Sequence, residues 1–318
     1  MSSYINDQLV SNLWHRPHAV KASDNRRVTS DAFRPLAASA VDHPENFPVA
    51  SWLCPPRLRP AISALYHYAR TADDLADEGS ATAAERLRDL AAYRAELLRM
   101  VDGAPPGSRW AHVFGPLQRV QQSFRLPLAP LLDLLDAFTQ DVVMTRDQRT
   151  YTTQAELLEY CTRSANPVGR LLLHLYGVDD ASAVAQSDAI CTALQLINFW
   201  QDLSVDLPRG RHYLPDDACQ AWGVTRQQLQ AREQDTQVTG LIAQQVQQAR
   251  TLMLSGTPLV FRLPGRIGWE LRLVVQGGLR ILDKVTQLNH ATLTTRPRLG
   301  LMDLPVIFWR AWRMPRPR

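Results

Sequence analysis

Apolar residues recur every three or four positions along most of this chain, the spacing of amphipathic α-helices. Ile62, Leu65, Ala69 and Ala72 form the first such run, and Gly79 is placed to end it. The same pattern predicts helices over residues 60–78, 82–101, 109–124, 129–145, 153–162, 167–176, 182–206, 225–254 and 266–289. Strand-like alternation is nearly absent. An all-α, single-domain fold is therefore predicted.

The flanks of the helical region differ from it in composition. Residues 1–40 are polar and rich in helix breakers, which predicts an irregular N-terminal segment before a helical domain over 41–290. Residues 291–318 form a basic, aromatic tail whose only acid is Asp303. Such a tail either contacts a membrane surface peripherally or docks on the protein itself. No apolar run approaches the ~20 residues that a membrane span requires.

Charge and cysteine content narrow the class of protein. The net charge of +4, from 35 basic and 31 acidic residues, is too mild to indicate a nucleic-acid partner. No metal-binding spacing joins the cysteines, and no secretory signal is visible at the start. We expect a cytoplasmic protein with reduced thiols, with attachment to the inner face of the membrane as the alternative. The cysteines are Cys54, Cys161, Cys191 and Cys219.

Two aspartate clusters with helical spacing carry the strongest chemical signal. Asp73, Asp74 and Asp77 form the first, and Asp202 and Asp206 form the second. Carboxylates four residues apart share one helix face and repel each other, so a cation is expected between them. Carboxylates on two facing helices suit Mg²⁺, which also takes phosphate oxygens of a substrate.

Other polar residues continue each aspartate stripe. Arg70 and Tyr66 precede the first cluster by one and two turns, and Gln195 and Asn198 precede the second in an otherwise apolar helix. One cluster taken alone is more simply explained as a helix face exposed to solvent. Two clusters with companions in register favour a polar stripe that faces a cavity.

A loop rich in arginine follows the second cluster. Arg209, Arg211 and Tyr213 lie between Pro208 and Pro215. The guanidinium group binds phosphate through its fork of donors, and a loop bounded by proline and glycine can close over a site.

Both motifs, and their order, resemble those of the squalene/phytoene synthase family. The resemblance implies an all-α isoprenoid synthase fold around an apolar tunnel. It also implies that Asp73, Asp77, Asp202 and Asp206 bind Mg²⁺, or Mn²⁺ in its place, which bridges to a prenyl diphosphate. The metal ligands so implied are Asp73, Asp74, Asp77, Asn198, Asp202 and Asp206, with Tyr66 and Arg70 joining the four motif aspartates as catalytic residues.

The resemblance also extends to substrate contacts. His43, Asn46 and Phe47 resemble the family's short segment that meets the diphosphate, although Asn46 stands where serine is usual. Residues 160–169 resemble the segment that lines the tunnel. The substrate-binding residues implied are His43, Asn46, Phe47, Tyr160, Gly169, Gln195, Asn198, Arg211 and Tyr213.

Flanking residues resemble one subfamily most. Residues 45–51, 72–79 and 198–202 are similar to bacterial hydroxysqualene synthases of hopanoid pathways. This implies conversion of presqualene diphosphate, supplied by a sister enzyme, to hydroxysqualene, with water capturing the final cation and no NADPH. Tyr66 and Tyr160 either stabilise cations through their ring faces or simply pack.

Two alternatives remain open from the sequence. One is a condensing synthase that makes presqualene diphosphate, squalene or phytoene. The other is a non-catalytic helical assembly factor of the same fold, although intact aspartate pairs favour an enzyme.

Overall fold

A computed structural model describes residues 53–316, and within this range the regular structure is entirely helical. The all-α prediction is confirmed. The α-helices are α1 (Arg59–Asp77), α2 (Ala83–Val101), α3 (Ala111–Phe124), α4 (Leu128–Arg146), α5 (Gln154–Ser164), α6 (Asn166–Tyr176), α7 (Ala181–Gln201), α8 (Leu203–Asp206), α9 (Asp216–Ala221), α10 (Arg226–Gln230), α11 (Thr236–Gly256), α12 (Leu259–Arg262), α13 (Gly265–Gln287) and α14 (Asp303–Trp312). Short 3₁₀ turns occupy Ser108–Trp110 and Leu207–Arg209.

Side-chain caps set several helix starts. The Thr82 hydroxyl accepts a hydrogen bond from the Glu85 amide, and the Glu85 carboxylate accepts one from the Thr82 amide, which forms a capping box for α2. Asp180 caps α7 by accepting from the Ala183 amide at 3.0 Å. These caps satisfy amide groups that the first helical turn leaves without partners.

Two apolar clusters make up the core. Helices α1, α2 and α3 pack with most of α4 in the first, and α5, α7, α11 and α13 pack in the second. Helices α4 and α6 contribute to both, so they join the two clusters. The C-terminal end of α1 and the short α8 therefore meet where the clusters adjoin.

Two predicted helices are wrong in extent. The helix over 225–254 is divided into α10 and α11 by residues 231–235, where Arg232 has φ +57° and Asp235 caps α11. The helix over 182–206 is interrupted at Asp202, whose backbone has φ −103° and ψ 11°. The sequence pattern also gave no signal for α9, α12 or α14.

The basic tail docks on the body of the protein through one face of α14. Asp303 is buried and its carboxylate lies 2.7 Å from Arg280 Nε and 2.6 Å from Lys284 Nζ on α13. Ile307 and Ala311, one and two turns later, are fully buried. Docking on the protein itself is thus observed for this face, and the boundary predicted at residue 290 stays a prediction.

No helix within residues 53–316 has the length and apolarity needed to cross a bilayer. All four cysteines are free thiols, and Cys54, Cys161 and Cys219 are buried.

Candidate active site

The first aspartate cluster lies on the last turns of α1 and contacts Arg70 of the same helix. Arg70 Nη1 lies 3.3 Å from Asp73 Oδ2, and Nη2 lies 2.8 Å from Asp74 Oδ1. The Asp73 side chain is 13% exposed, whereas that of Asp74 is 44% exposed. Asp73 therefore faces inward and is the better placed of the two to meet a ligand.

Arg211 connects the two clusters. Its Nη2 donates to Asp77 Oδ1, and its Nη1 lies 4.0 Å from Asp206 Oδ1. Gly210 takes φ +75°, a conformation that disfavours a side chain, and the Arg211 amide then donates to the Asp206 carbonyl at 3.0 Å. The loop predicted to bind phosphate thus folds back over the carboxylates.

Arg296, from the basic tail, completes the pairing. Its Nε donates to Asp202 Oδ1 and its Nη2 lies 3.3 Å from Oδ2, a bidentate contact with a buried carboxylate. Beside it, Gln201 Nε2 donates to the Pro297 carbonyl at 2.7 Å. Sequence reasoning missed Arg296 because it grouped the tail arginines as one surface feature.

Several buried polar atoms at the second cluster have no hydrogen-bond partner within residues 53–316. Asp206 Oδ2, Asn198 Oδ1 and Arg211 Nη1 have no hydrogen-bond partner in the described part of the chain. Burial and the nearby charge of Asp202 raise the pKa of Asp206 to about 7, although Arg211 opposes this shift. Such orphaned oxygens next to a repelled carboxylate suit a hard cation.

Among residues 53–316, no three His, Cys, Asp or Glu side chains gather closely enough to hold a metal ion by themselves. Arg211 and Arg296 instead contact the carboxylates. The oxygen donors fit Mg²⁺ in chemical type, but the geometry is that of carboxylates neutralised by arginine.

An aromatic wall adjoins the carboxylates. Tyr160 donates to Asp141 Oδ2 at 2.8 Å, and its ring lies 5.5 Å from that of Tyr151. The rings of Phe199 and Tyr213 stack with centroids 3.8 Å apart. Burial raises the pKa of Tyr160 and of Tyr213 well above the usual range, so both rings stay neutral. Asp141 was missed by the sequence reasoning, since a lone carboxylate on α4 has no partner at helical spacing.

Gly169 lies away from the carboxylates. A Cβ at Gly169 would come within 2.4 Å of Ser187 Oγ and 2.6 Å of Cys191 Sγ on α7. Ser187 precedes Asp202 by some four turns of helix, about 20 Å. Gly169 therefore marks a close approach of α6 to α7. Gln195, which lies on α7 between Ser187 and Asp202, is buried.

Of the remaining predicted residues, Tyr66 lies within the part of the chain that the structure describes and three others do not. Tyr66 is buried on α1, one turn before Arg70. His43, Asn46 and Phe47 lie outside the described residues, and their predicted roles stay predictions.

Comparison with known proteins decides the family. The squalene/phytoene synthase family matches residues 40–303. This chain belongs to the squalene/phytoene synthase family. The family predicted from the aspartate motifs is confirmed, and the chain is an enzyme of the prenyl diphosphate synthase type.

Individual members are similar over most of their length. A hydroxysqualene synthase from Sinorhizobium fredii is 32% identical over 271 residues, which cover 85% of this chain and 88% of the relative. A presqualene diphosphate synthase from Rhodopseudomonas palustris is 27% identical over 266 residues, 84% and 92% of the two chains. The crystal structure of squalene synthase HpnC from Alicyclobacillus acidocaldarius is 36% identical with a TM-score of 0.68, covering 77% of this chain and 89% of that one. The predicted isoprenoid synthase fold is confirmed.

Proposed function

We propose that this enzyme converts presqualene diphosphate to hydroxysqualene with release of diphosphate, in a squalene or hopanoid pathway. The observation that carries the proposal is Arg211, which joins Asp77 on α1 to Asp206 on α8 beside an aromatic wall. The similarity to hydroxysqualene synthases supports this substrate over other prenyl diphosphates.

Members of this family depend on divalent metal ions in general. Here Asp73, Asp77, Asp202 and Asp206, with Asn198, would hold Mg²⁺. The orphaned oxygens of Asp206 and Asn198 support that assignment. When bound, the metal would supply Lewis-acid assistance to the departing diphosphate.

The arginines of the site bind and neutralise the leaving group. Arg211 Nη1 is a buried donor without an acceptor in the described part of the chain, which suits a phosphate oxygen. Arg70 and Arg296 sit against the two aspartate clusters and are positioned to add charge stabilisation.

The aromatic wall then faces the carbocation. The Tyr160 ring lies beside the stacked rings of Phe199 and Tyr213, and the ring faces that this stacking leaves uncovered would attract a cation. A single water molecule captures the rearranged cation, which forms the alcohol and releases a proton. No hydride donor is needed, so NADPH is not part of this proposal.

Product analysis tests the proposal. Purified protein with Mg²⁺ and presqualene diphosphate, without NADPH, should form hydroxysqualene. The same protein given farnesyl diphosphate alone should form no presqualene diphosphate. The reverse result would establish the condensing alternative, which the 27% identical presqualene diphosphate synthase keeps open. C20 substrates and added NADPH complete the comparison for phytoene and squalene.

Two variants test the role of the carboxylates. Asp77→Asn and Asp202→Asn should each lower turnover about 100-fold or more while the protein still folds, because each replaces a charged carboxylate by a neutral amide that binds a metal ion more weakly. Asp147→Asn, on an exposed carboxylate paired with the neighbouring Arg146, is the matched control and should keep full activity. Full activity in both site variants would remove the carboxylates from the mechanism.

The non-catalytic alternative predicts a different response to ligands. An enzyme should gain thermal stability when Mg²⁺ and a non-reactive diphosphate analogue are added together. The absence of any shift, together with the absence of product, would favour an assembly factor.

A further inference from the structure

Exposed apolar side chains concentrate on the tail helix. Nine large hydrophobic side chains are exposed among residues 53–316. Five of them lie within twelve residues, with Met302 85% exposed and Trp312 71% exposed. These five, called here the tail patch, are Leu301, Met302, Phe308, Trp309 and Trp312. An exposed apolar patch this concentrated on a protein surface marks an interaction site.

The register of α14 places the aromatic residues of the tail patch away from the buried face. Asp303, Ile307 and Ala311 follow one another at four-residue spacing and face α13. At 100° per residue, Trp309 and Trp312 lie about 160° and about 140° from the centre of that face, and Phe308 lies about 100° from it. The buried face packs α14 on the protein, and the aromatic residues project outward from it.

Arginines surround the tail patch. Arg298, Arg313 and Arg316 are exposed, and Arg313 lies 5.0 Å from the ring centroid of Trp309. Burial, together with the charge of Arg316, lowers the pKa of Arg272 on α13, which places a further cation nearby.

Carboxylates do not offset this positive charge. The only acid within residues 296–316 is Asp303, which is buried and paired with Arg280 and Lys284. Asp283 of α13 is paired with Arg250 and Arg310. The outward face of α14 is therefore both aromatic and cationic.

We propose that the tail patch docks this enzyme on the surface of an anionic bilayer. Helix α14 would lie in the plane of the interface, with Phe308, Trp309 and Trp312 among the acyl-chain boundaries and Arg313 and Arg316 at the lipid phosphates. Tryptophan and arginine are the side chains that suit this boundary, because each joins an apolar body to a polar end.

A second copy of the chain fits this surface less well than a bilayer does. A symmetric dimer through α14 would place the arginine-rich surface of one copy against that of the other, with no exposed acid in residues 296–316 to pair it, which costs free energy. An anionic lipid surface instead offers negative charge to these arginines.

Vesicle flotation with the full-length protein tests the proposal. The protein should float with vesicles that contain about 30% phosphatidylglycerol in phosphatidylcholine, and much less with pure phosphatidylcholine. Replacing Phe308, Trp309 and Trp312 together by serine should lower the partition coefficient roughly tenfold or more. The matched control, Leu98→Ser with Leu254→Ser, removes exposed apolar side chains elsewhere and should leave it unchanged.

Charge is tested separately. Arg313→Gln and Arg316→Gln should each weaken binding to the anionic vesicles by roughly fivefold, an effect that high salt removes. Arg88→Gln, an exposed arginine on α2, is the control. Circular dichroism and turnover of a water-dispersed substrate should be the same in all variants, which separates this test from that of the proposed reaction.

Three results would overturn the proposal. The first is binding to anionic vesicles no stronger than to neutral ones. The second is undiminished binding by the triple serine variant. The third is a concentration-dependent dimer in light scattering that this variant abolishes while no vesicle binding is seen, which would make the tail patch a contact between copies.

Discussion

At the scale of single residues, Asp206 combines burial, a neighbouring like charge and an oxygen without a partner in the described chain. A pKa of about 7 against a usual 3.8 means that the folded state holds a proton that the unfolded chain releases. Between about pH 4 and about pH 7, folding of the metal-free protein therefore loses stability as the pH rises. A pKa shift of this size lowers the free energy of unfolding at neutral pH and above by about 4 kcal/mol.

Asp206→Asn should remove this dependence. In the presence of a chelator, we expect the variant to be about 1–2 kcal/mol more stable than the parent at about pH 8 and little different at about pH 5, because the amide carries no charge. Urea unfolding at the two pH values measures it, and turnover should be lost. Parallel pH profiles for the two proteins would contradict the raised pKa.

Two variants of Tyr160 separate the role of its aromatic ring from that of its hydroxyl group. Tyr160→Phe leaves Asp141 without its 2.8 Å donor and should cost about 1.5–3 kcal/mol of stability. Turnover should stay within about threefold, since the π face is kept, whereas Tyr160→Leu should lose about tenfold or more. Equal losses in both variants would instead assign the role to the hydroxyl group.

Spacing along one helix was enough to predict that Arg70 lies beside the first aspartate cluster. It was not enough for Arg296 and Asp141, because each meets its partner across the fold. Asp202 and Arg296 are 94 residues apart, and no local pattern links residues that distant.

At the scale of helices, the contact between α6 and α7 depends on Gly169. Gly169→Ala should destabilise the protein by about 1–3 kcal/mol, because the new methyl group overlaps Ser187 Oγ and Cys191 Sγ. It should also lower turnover, since α7 carries Asn198 and leads to Asp202. Chemical unfolding and steady-state rates measure the two effects.

Gly115 on α3 supplies the matched control. Its nearest neighbour to an added Cβ is Arg119 Nη1 at 3.9 Å, so Gly115→Ala should be neutral or stabilising by up to about 1 kcal/mol. Adding Ser187→Ala and Cys191→Ala to Gly169→Ala should restore part of the lost stability. A Gly169→Ala protein as stable as the Gly115→Ala protein would show that α6 can move away at no cost.

Apolar periodicity was enough to predict the longer helices, but it did not show where two of them are interrupted. The run of glutamine through 225–254 has no proline and favours a single helix, yet Asp235 and Thr225 cap two separate ones. The capping box of Thr225 and Gln228 was a usable signal for a helix start, whereas no proline, glycine or capping motif marks the break at Asp202.

At the scale of the whole molecule, Asp303 attaches the tail to the body. Burial alone would raise the pKa of Asp303, but hydrogen bonds from Gly300, Lys284 and Arg280 bring it below the usual value. This stabilisation is present above about pH 4 and is lost as the pH falls through the folded pKa.

Asp303→Asn should loosen the tail. We expect a loss of about 1–3 kcal/mol, because Arg280 and Lys284 each lose a charged partner, and faster protease cleavage within residues 290–302. Activity should fall with it, since Arg296 lies in the same segment. Asp147→Asn is the control, and equal cleavage rates in the two variants would contradict an anchoring role for Asp303.

The contact between Asp202 and Arg296 also bears on how the protein is made. During synthesis on the ribosome, α7 emerges long before residue 296. The ion pair of Asp202 therefore cannot form until another 94 residues have been added. Folding of domains from the N-terminus onward cannot finish this site early. A chain that stops short of residue 296 would lack the bidentate Arg296 contact to the buried Asp202 carboxylate, and the less stable protein would be removed faster by cellular proteases.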